Sequence, residues 1–323
     1  MINVNIRNFR PDDLPALVEL INAADRVDDA GNATTLARLS HRLAEPRIKP
    51  TENLFVAEAD GRLVGYVLVL QQLEATILRL VLIGIVHPQW RRQGAGTALM
   101  RRAEERARSF QSDKPRFLDV FARGRIAGAD ELARSLGMQP VRYSFYMQCP
   151  DLSSLPEPAF PAGITLRTMD PLRDAEPLLA AYNDGFSDHW CYVPATGEQM
   201  QHWLHSPEFC ADNVLLAVTE QDDIAGICIV LFPQMEPEML KSNPPHIDDL
   251  AVPHAYRRRG IGRALLLAGM RRIRGQGFQA AALGVDAENP NQAMRLYESV
   301  GFVIVSRTTE YRRELVDAAE PAR

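Results

Sequence analysis

The residues most able to do chemistry lie in the second half of this 323-residue chain. They are Asp248 and Asp249, the run Arg257-Arg258-Arg259-Gly260-Ile261-Gly262-Arg263, and Tyr297. Ile247 to Val252 reads as a strand that Pro253 stops. The arginine-glycine run is a short turn, after which Ile261, Ala264, Leu265 and Ala268 recur at helical spacing. The first turn of a helix leaves backbone N–H groups unpaired, and together with the helix dipole they attract anions. Gly260 and Gly262 put no Cβ in the way of an approaching anion. Arg257, Arg258 and Arg259 add positive charge where a phosphate would arrive. A lone Gly-x-Gly is no more than a tight turn. Here a strand precedes it, a helix follows it, and the arrangement recurs at Arg91-Arg92-Gln93-Gly94-Ala95-Gly96 after Val86.

Strand alternation puts Asp248 and Asp249 on opposite faces, so at most one of them serves a given site. His246 shares a face with Asp248 and is a further candidate base. Tyr297 lies in the stretch LYESVGF, near a helix end that Gly301 is placed to cap. A phenol with pKa near 10 can donate a proton at neutral pH. His202 and His205 are neighbours at i and i+3 but have no third ligand at a telling spacing, so no metal is expected.

The pattern Arg/Gln-x-x-Gly-x-Gly/Ala after a strand is similar to the pyrophosphate-binding motif of the GNAT superfamily of acetyltransferases. RRRGIG (Arg257 to Gly262) and RRQGAG (Arg91 to Gly96) both fit it. DAENPNQAMRLYESVGF (Asp286 to Phe302) resembles the second motif of that family, with Asn289 in its turn. The resemblance implies a mixed α/β fold, a bent sheet of about seven strands flanked by helices. Its fourth and fifth strands would part to admit the pantetheine arm of acetyl-CoA. The backbone of Leu250, Ala251 and Val252 would pair with that arm as another strand would. The resemblance also implies that Tyr297 protonates the departing thiolate. It places the base at Asp248, four residues before Val252, either directly or through a water; Asp249 and His246 remain alternatives.

Amine acetylation makes the need for a base concrete. An amine with pKa near 10.4 is neutral in roughly one molecule in a few thousand at pH 7. General acid–base catalysis is worth about 10²- to 10⁴-fold. The segment GFSDHWCYVPATGEQMQHWL (Gly185 to Leu204) lies where the family closes over its acceptor. Phe186, His189, Trp190 and Tyr192 are therefore candidates to line an acceptor pocket or hold a cation, with plain core packing the alternative.

The elements that must position these groups occur twice. IRNFRPDDLPALVELIN (from Ile6) recurs from Leu166, and NLFVAEADGRLVGYVLVL (from Asn53) recurs from Asn213. The cradle segment from Val86 recurs from Val252, and LARSLGM (from Leu132) recurs from Leu296. Four matches in one order define a duplicated domain. The Pro- and Ser-rich stretch between the copies contains four prolines and reads as a linker. The expected division is 1–150, linker 151–163, second domain 164–316 and a flexible tail 317–323.

The first copy lacks the proton-transfer groups. Leu82 stands where the second has Asp248, and Ala133 where it has Tyr297. FARGRIAG (Phe121 to Gly128) replaces the Asn-containing turn. The first copy is thus expected to be non-catalytic while keeping the cradle Val86, Arg91, Arg92, Gly94, Ala95 and Gly96. This division resembles tandem enzymes of the mycothiol synthase type, whose C-terminal domain is the active one.

Other features bound the function. A formal charge of −5 disfavours a nucleic-acid partner. Four scattered cysteines with no Cys-x-x-Cys pair suit a reducing compartment. No secretory signal and no membrane span are expected, so the protein is read as cytoplasmic. The expected activity is transfer of acetyl from acetyl-CoA to a primary amine of a small molecule in a ternary complex. A peptide or protein N-terminus as acceptor, or a non-catalytic acyl-CoA sensor, are the alternatives. Oligomeric state is not legible.

Overall fold

The computed structural model describes residues 4–233, 244–289 and 291–316. The chain divides into two compact units, Met1–Tyr143 with Thr308–Arg323, and Ser144–Arg307.

In chain order the first unit begins β1 (Asn5–Asn8), α1 (Leu14–Asp28), α2 (Leu36–Leu43), α3 (Pro50–Asn53), β2 (Leu54–Ala59) and β3 (Arg62–Leu73). It continues with β4 (Leu78–Val86), α4 (Ala95–Arg108), β5 (Arg116–Arg123), α5 (Ala129–Ser135) and the start of β6 (Gln139–Cys149). The second unit contains β7 (Ile164–Thr168), α6 (Pro171–Phe186), α7 (Gly197–Leu204), β8 (Val214–Thr219) and β9 (Ile224–Leu231). It then runs through β10 (His246–Ala251), α8 (Ile261–Gly275), β11 (Ala281–Asp286), α9 (Ala293–Glu298) and the start of β12 (Val303–Glu314).

In the first unit the paired strands run in the order β1-β2-β3-β4-β5-β12, and in the second β7-β8-β9-β10-β11-β6. Each is mixed: β4 pairs parallel with β5, and β10 with β11, while the other described pairs are antiparallel. Each unit also holds the first part of the strand that ends in the other, Gln139–Tyr143 of β6 in the first and Val303–Arg307 of β12 in the second.

The copies exchange their final strands. Thr308–Glu314 of β12 pair with Arg123–Phe117 of β5 in the first unit. Ser144–Cys149 of β6 pair with Asp286–Ala281 of β11 in the second. The linear boundaries at 150 and 164 follow sequence likeness, whereas compactness follows this pairing, so the units depart from those boundaries. The Pro-rich stretch makes no strand or helix but packs on the second unit. Leu152 is fully buried, its N–H donates to the Gln279 carbonyl at 2.9 Å, and Arg271 donates to the carbonyls of Leu155 and Pro156. The expected tail 317–323 lies outside the described residues.

Helices α4 and α8 each lie on their own sheet with an apolar face inward. From α8, Leu265, Leu266, Met270 and Ile273 are buried with Cys228, Val230 and Leu283. The close approach of α8 to β9 needs Gly226, where a Cβ would stand 2.6 Å from Leu265 Cδ1 and 2.9 Å from Ile261 Cγ2. No described helix is long and apolar enough to cross a membrane.

Candidate active site

The turn between β10 and α8 has the backbone an anion cradle requires. Gly260 precedes the helix with φ 87°, a left-handed conformation that favours glycine, and Arg258 also has positive φ at 63°. Ala264 N–H is the first to return to Gly260, leaving the N–H groups of Ile261, Gly262 and Arg263 outside the helical ladder. Arg258, Arg259 and Arg263 are exposed beside it. Arg259 donates to the Ala255 carbonyl at 2.9 Å and Arg263 to Ser299 Oγ at 2.6 Å.

Arg257 has a different place. Its Nε donates to the Val252 carbonyl at 3.0 Å, Nη2 to the Gly185 carbonyl at 3.0 Å, and Nη1 to Asp188 at 2.5 Å. It ties the end of β10 to the end of α6. His254 adds to this clasp, with Nδ1 2.9 Å from Asp184 Oδ1 and Nε2 3.0 Å from Asp188 Oδ2.

The strand before the cradle is where the sequence reading needs correction. Ile247 pairs with Val230 and Asp249 with Ile229, so a β-bulge makes Asp248 an extra residue. Simple alternation therefore fails. Asp248 is exposed, while Asp249 is partly buried, and its Oδ1 accepts from the Tyr182 hydroxyl at 3.5 Å. Burial, with the neighbouring Asp248 charge, pushes the Asp249 carboxyl up to about 8. Beyond the bulge β10 parts from β11: among the described residues the two strands share one register pair, His246 with Ala282. The β11-facing backbone of Leu250, Ala251 and Val252 is thereby left unpaired by that strand. His246 is partly buried, its ring 5.4 Å from that of Tyr146.

Tyr297 is buried on α9. Burial, with contributions from the Cys228 thiol and the Asp249 carboxyl, raises its phenol to about 12, so it stays protonated at neutral pH. Among the described residues its hydroxyl has no hydrogen-bond partner. Asn289 accepts from the Asn291 N–H at 2.9 Å and shapes the turn into α9.

The aromatic candidates fall into two groups. Phe186 stacks between Tyr182, at 4.6 Å, and His189, at 4.7 Å. Burial lowers the His189 pKa, favouring its neutral form. Tyr192 instead donates to the Asn183 side chain and carbonyl, each at 2.9 Å, and braces its loop; Trp190 is exposed. Tyr182 escaped the sequence reading, although its i, i+4 spacing from Phe186 on one helix was a usable signal. Among the described residues no three His, Cys, Asp or Glu side chains are grouped to hold a metal.

The first unit repeats the cradle in detail. Gly94 has φ 99° and Arg92 61°. Arg91 Nε donates to the Val86 carbonyl at 3.0 Å, and its other two nitrogens hold Asp28 at 2.7 and 2.5 Å. Ala95, opening α4, is buried, and Gly96 packs near Val86 and Leu132, as Gly262 does near Val252 and Leu296. Leu82 and Ala133, at the places of Asp248 and Tyr297, are buried apolar residues.

A sheet whose parallel central strands part beside a glycine turn that opens a helix is the fold of an acyltransferase. The Acetyltransferase (GNAT) family profile matches residues 16–137 and 176–302, once in each half, and the chain belongs to that family. It is 34% identical over 228 residues to a mycothiol acetyltransferase of Thermomonospora curvata, covering 68% of each chain. It is 30% identical over 303 residues to that of Salinispora tropica, covering 93% of this chain and 92% of the relative. A GCN5-related N-acetyltransferase from Sphaerobacter thermophilus superposes with TM-score 0.72 at 26% identity over 97% of each chain. A tandem GNAT protein from the clavulanic acid biosynthesis pathway shares the fold with TM-score 0.72, at 18% identity over 98% of this chain and all of that one.

Proposed function

We propose that the second unit moves acetyl from acetyl-CoA to a primary amine of a small molecule, by direct attack in a ternary complex. The observation that carries this reading is the convergence of a raised carboxyl, a protonated phenol and a glycine cradle at the place where β10 leaves β11. The relatives named mycothiol acetyltransferases support a small-molecule acceptor.

The N–H groups at the start of α8, with Arg258, Arg259 and Arg263, hold the pyrophosphate. The backbone of Leu250, Ala251 and Val252 pairs with the pantetheine arm. Asp249 takes the proton of the incoming ammonium, and a value near 8 suits a base at neutral to mildly alkaline pH. The amine nitrogen then bonds to the thioester carbonyl carbon. As the C–S bond breaks, Tyr297 protonates the sulfur and the nitrogen gives up its second proton, which restores the phenol, leaving the amide and free coenzyme A. Phe186 and His189 line the acceptor side.

The test is coenzyme A release from acetyl-CoA with a panel of amines, comparing wild type with Tyr297→Phe. The reading expects at least one amine to accelerate release and the variant to turn over tenfold or more slowly. Binding of acetyl-CoA with no amine acetylated would overturn it in favour of a sensor.

A further inference from the structure

We propose that Tyr182 is a positioning residue for the Asp249 carboxylate, holding one of its oxygens by a hydrogen bond while Phe186 holds the Tyr182 ring. This rests on the reading of Asp249 as the base. Tyr182 lies on α6, about one turn before the Gly185 carbonyl that receives Arg257. Its hydroxyl reaches Asp249 Oδ1 at 3.5 Å, long for such a bond and of a kind that tightens when substrate arrives. Its ring meets Phe186 at 4.6 Å with the planes 44° apart. With Oδ1 held, Oδ2 has no hydrogen-bond partner among the described residues and is left to accept a proton.

The first unit supplies an internal control. Counterparts along the repeat are Ile21 for Tyr182, Ile83 for Asp249 and Asp25 for Phe186. Asn22 is the counterpart of Asn183, and each pins the loop after its helix: Asn22 donates to the Thr34 carbonyl at 3.0 Å and accepts from its N–H at 2.8 Å, and Asn183 donates to the Ala195 carbonyl at 3.0 Å and accepts from its N–H at 2.9 Å. Ile21 is buried and packs its helix on the first sheet without a hydroxyl, so packing alone does not call for the tyrosine. It is present where the carboxyl is present and missing where it is missing.

The charged and titratable groups around Asp249 define what Tyr182 does there. Asp248 adjoins it on β10, Cys228 interacts from β9, Tyr297 from α9 and Tyr182 from α6. Burial and Asp248 favour the protonated carboxyl; of these contributions, the Tyr182 hydrogen bond favours the carboxylate. Removing that hydroxyl must therefore move the titration of Asp249 upward.

The experiment is a pH titration of 13C-aspartate-labelled full-length protein by NMR, which needs no acceptor. Wild type is expected to show a carboxyl titrating near pH 8 that is missing from Asp249→Asn. In Tyr182→Phe that signal should move to higher pH by about half a unit or more, the scale of one lost hydrogen bond. Phe186→Leu, which keeps the hydroxyl but loosens the ring, should move it less and in the same direction, and serves if Tyr182→Phe does not fold. An unmoved signal in both variants would overturn the proposal while leaving Asp249 as base. A signal near pH 8 that persists in Asp249→Asn would instead sink the underlying assignment.

Discussion

The two units carry the same cradle and differ in how far their central parallel strands stay joined. In the first, β4 and β5 are paired from Leu78–Arg116 through Leu82–Val120. In the second, β10 has already left β11 after His246, and the bulge at Asp248 follows at once. The first unit also buries charge along the joined stretch of these strands. Arg79, Asp119 and Glu310 are buried together, with Arg79 2.5 Å from Asp119 and 2.6 Å from Glu310, and Arg312 2.7 Å from Asp119. A phosphate turn alone does not make a transferase. On the function proposed above, the strands must also part early enough to present unpaired backbone to the pantetheine arm and a carboxyl to the amine.

The largest effect expected on this comparison is structural. Asp119→Ala leaves buried Arg79 without its closest partner, and breaking a buried pair from one side costs about 3–5 kcal/mol. Thermal denaturation should show the first unit melting well below wild type. Next is Asp249→Asn, which should lower kcat/KM by about 10²-fold or more. In wild type kcat/KM should rise with pH through about 8 as the base loses its proton, and the variant should lose that limb. The same group gives an opposite stability signature. Its folded pKa is raised, so its contribution is complete below the ordinary aspartate value and is lost as pH climbs towards 8. Asp249→Asn should flatten that part of a denaturation-versus-pH curve. Tyr297→Phe should follow, at tenfold or more in kcat, whereas Ala133→Tyr in the first unit should add no activity. The smallest is Gly94→Ala, a left-handed position where a side chain costs about 1 kcal/mol. Urea midpoints would register it. If the first cradle is a relic, acetyl-CoA stoichiometry will not change, and if it binds, one site should weaken.

Much of the molecule is legible in its sequence. The repeat, the glycine turns and Tyr297 are local patterns, and each turn forms where the arginines and glycines place it. Asp249 is legible only as one of two. Alternation assigns faces by counting, and a bulge, set by pairing with β9, changes the count. Arg257 reads as a phosphate ligand from charge alone, yet three neighbours on other elements claim its guanidinium. Tyr182 needs the sheet in place before its partner 67 residues away can be seen. The exchanged strands are invisible to a comparison of halves, because each copy does contain a strand in the right order and only tertiary pairing shows whose sheet it joins.

That exchange bears on synthesis. Domains commonly fold as they leave the ribosome, N-terminal first. Here the first half made lacks its sixth strand until Thr308–Glu314 emerge, after the whole of the second unit. Until then β5 has an open edge, a template for pairing with another nascent chain. The order of translation and the order of completion run opposite ways, and a ribosome stalled shortly before residue 308 would hold a nearly complete second unit beside an unfinished first.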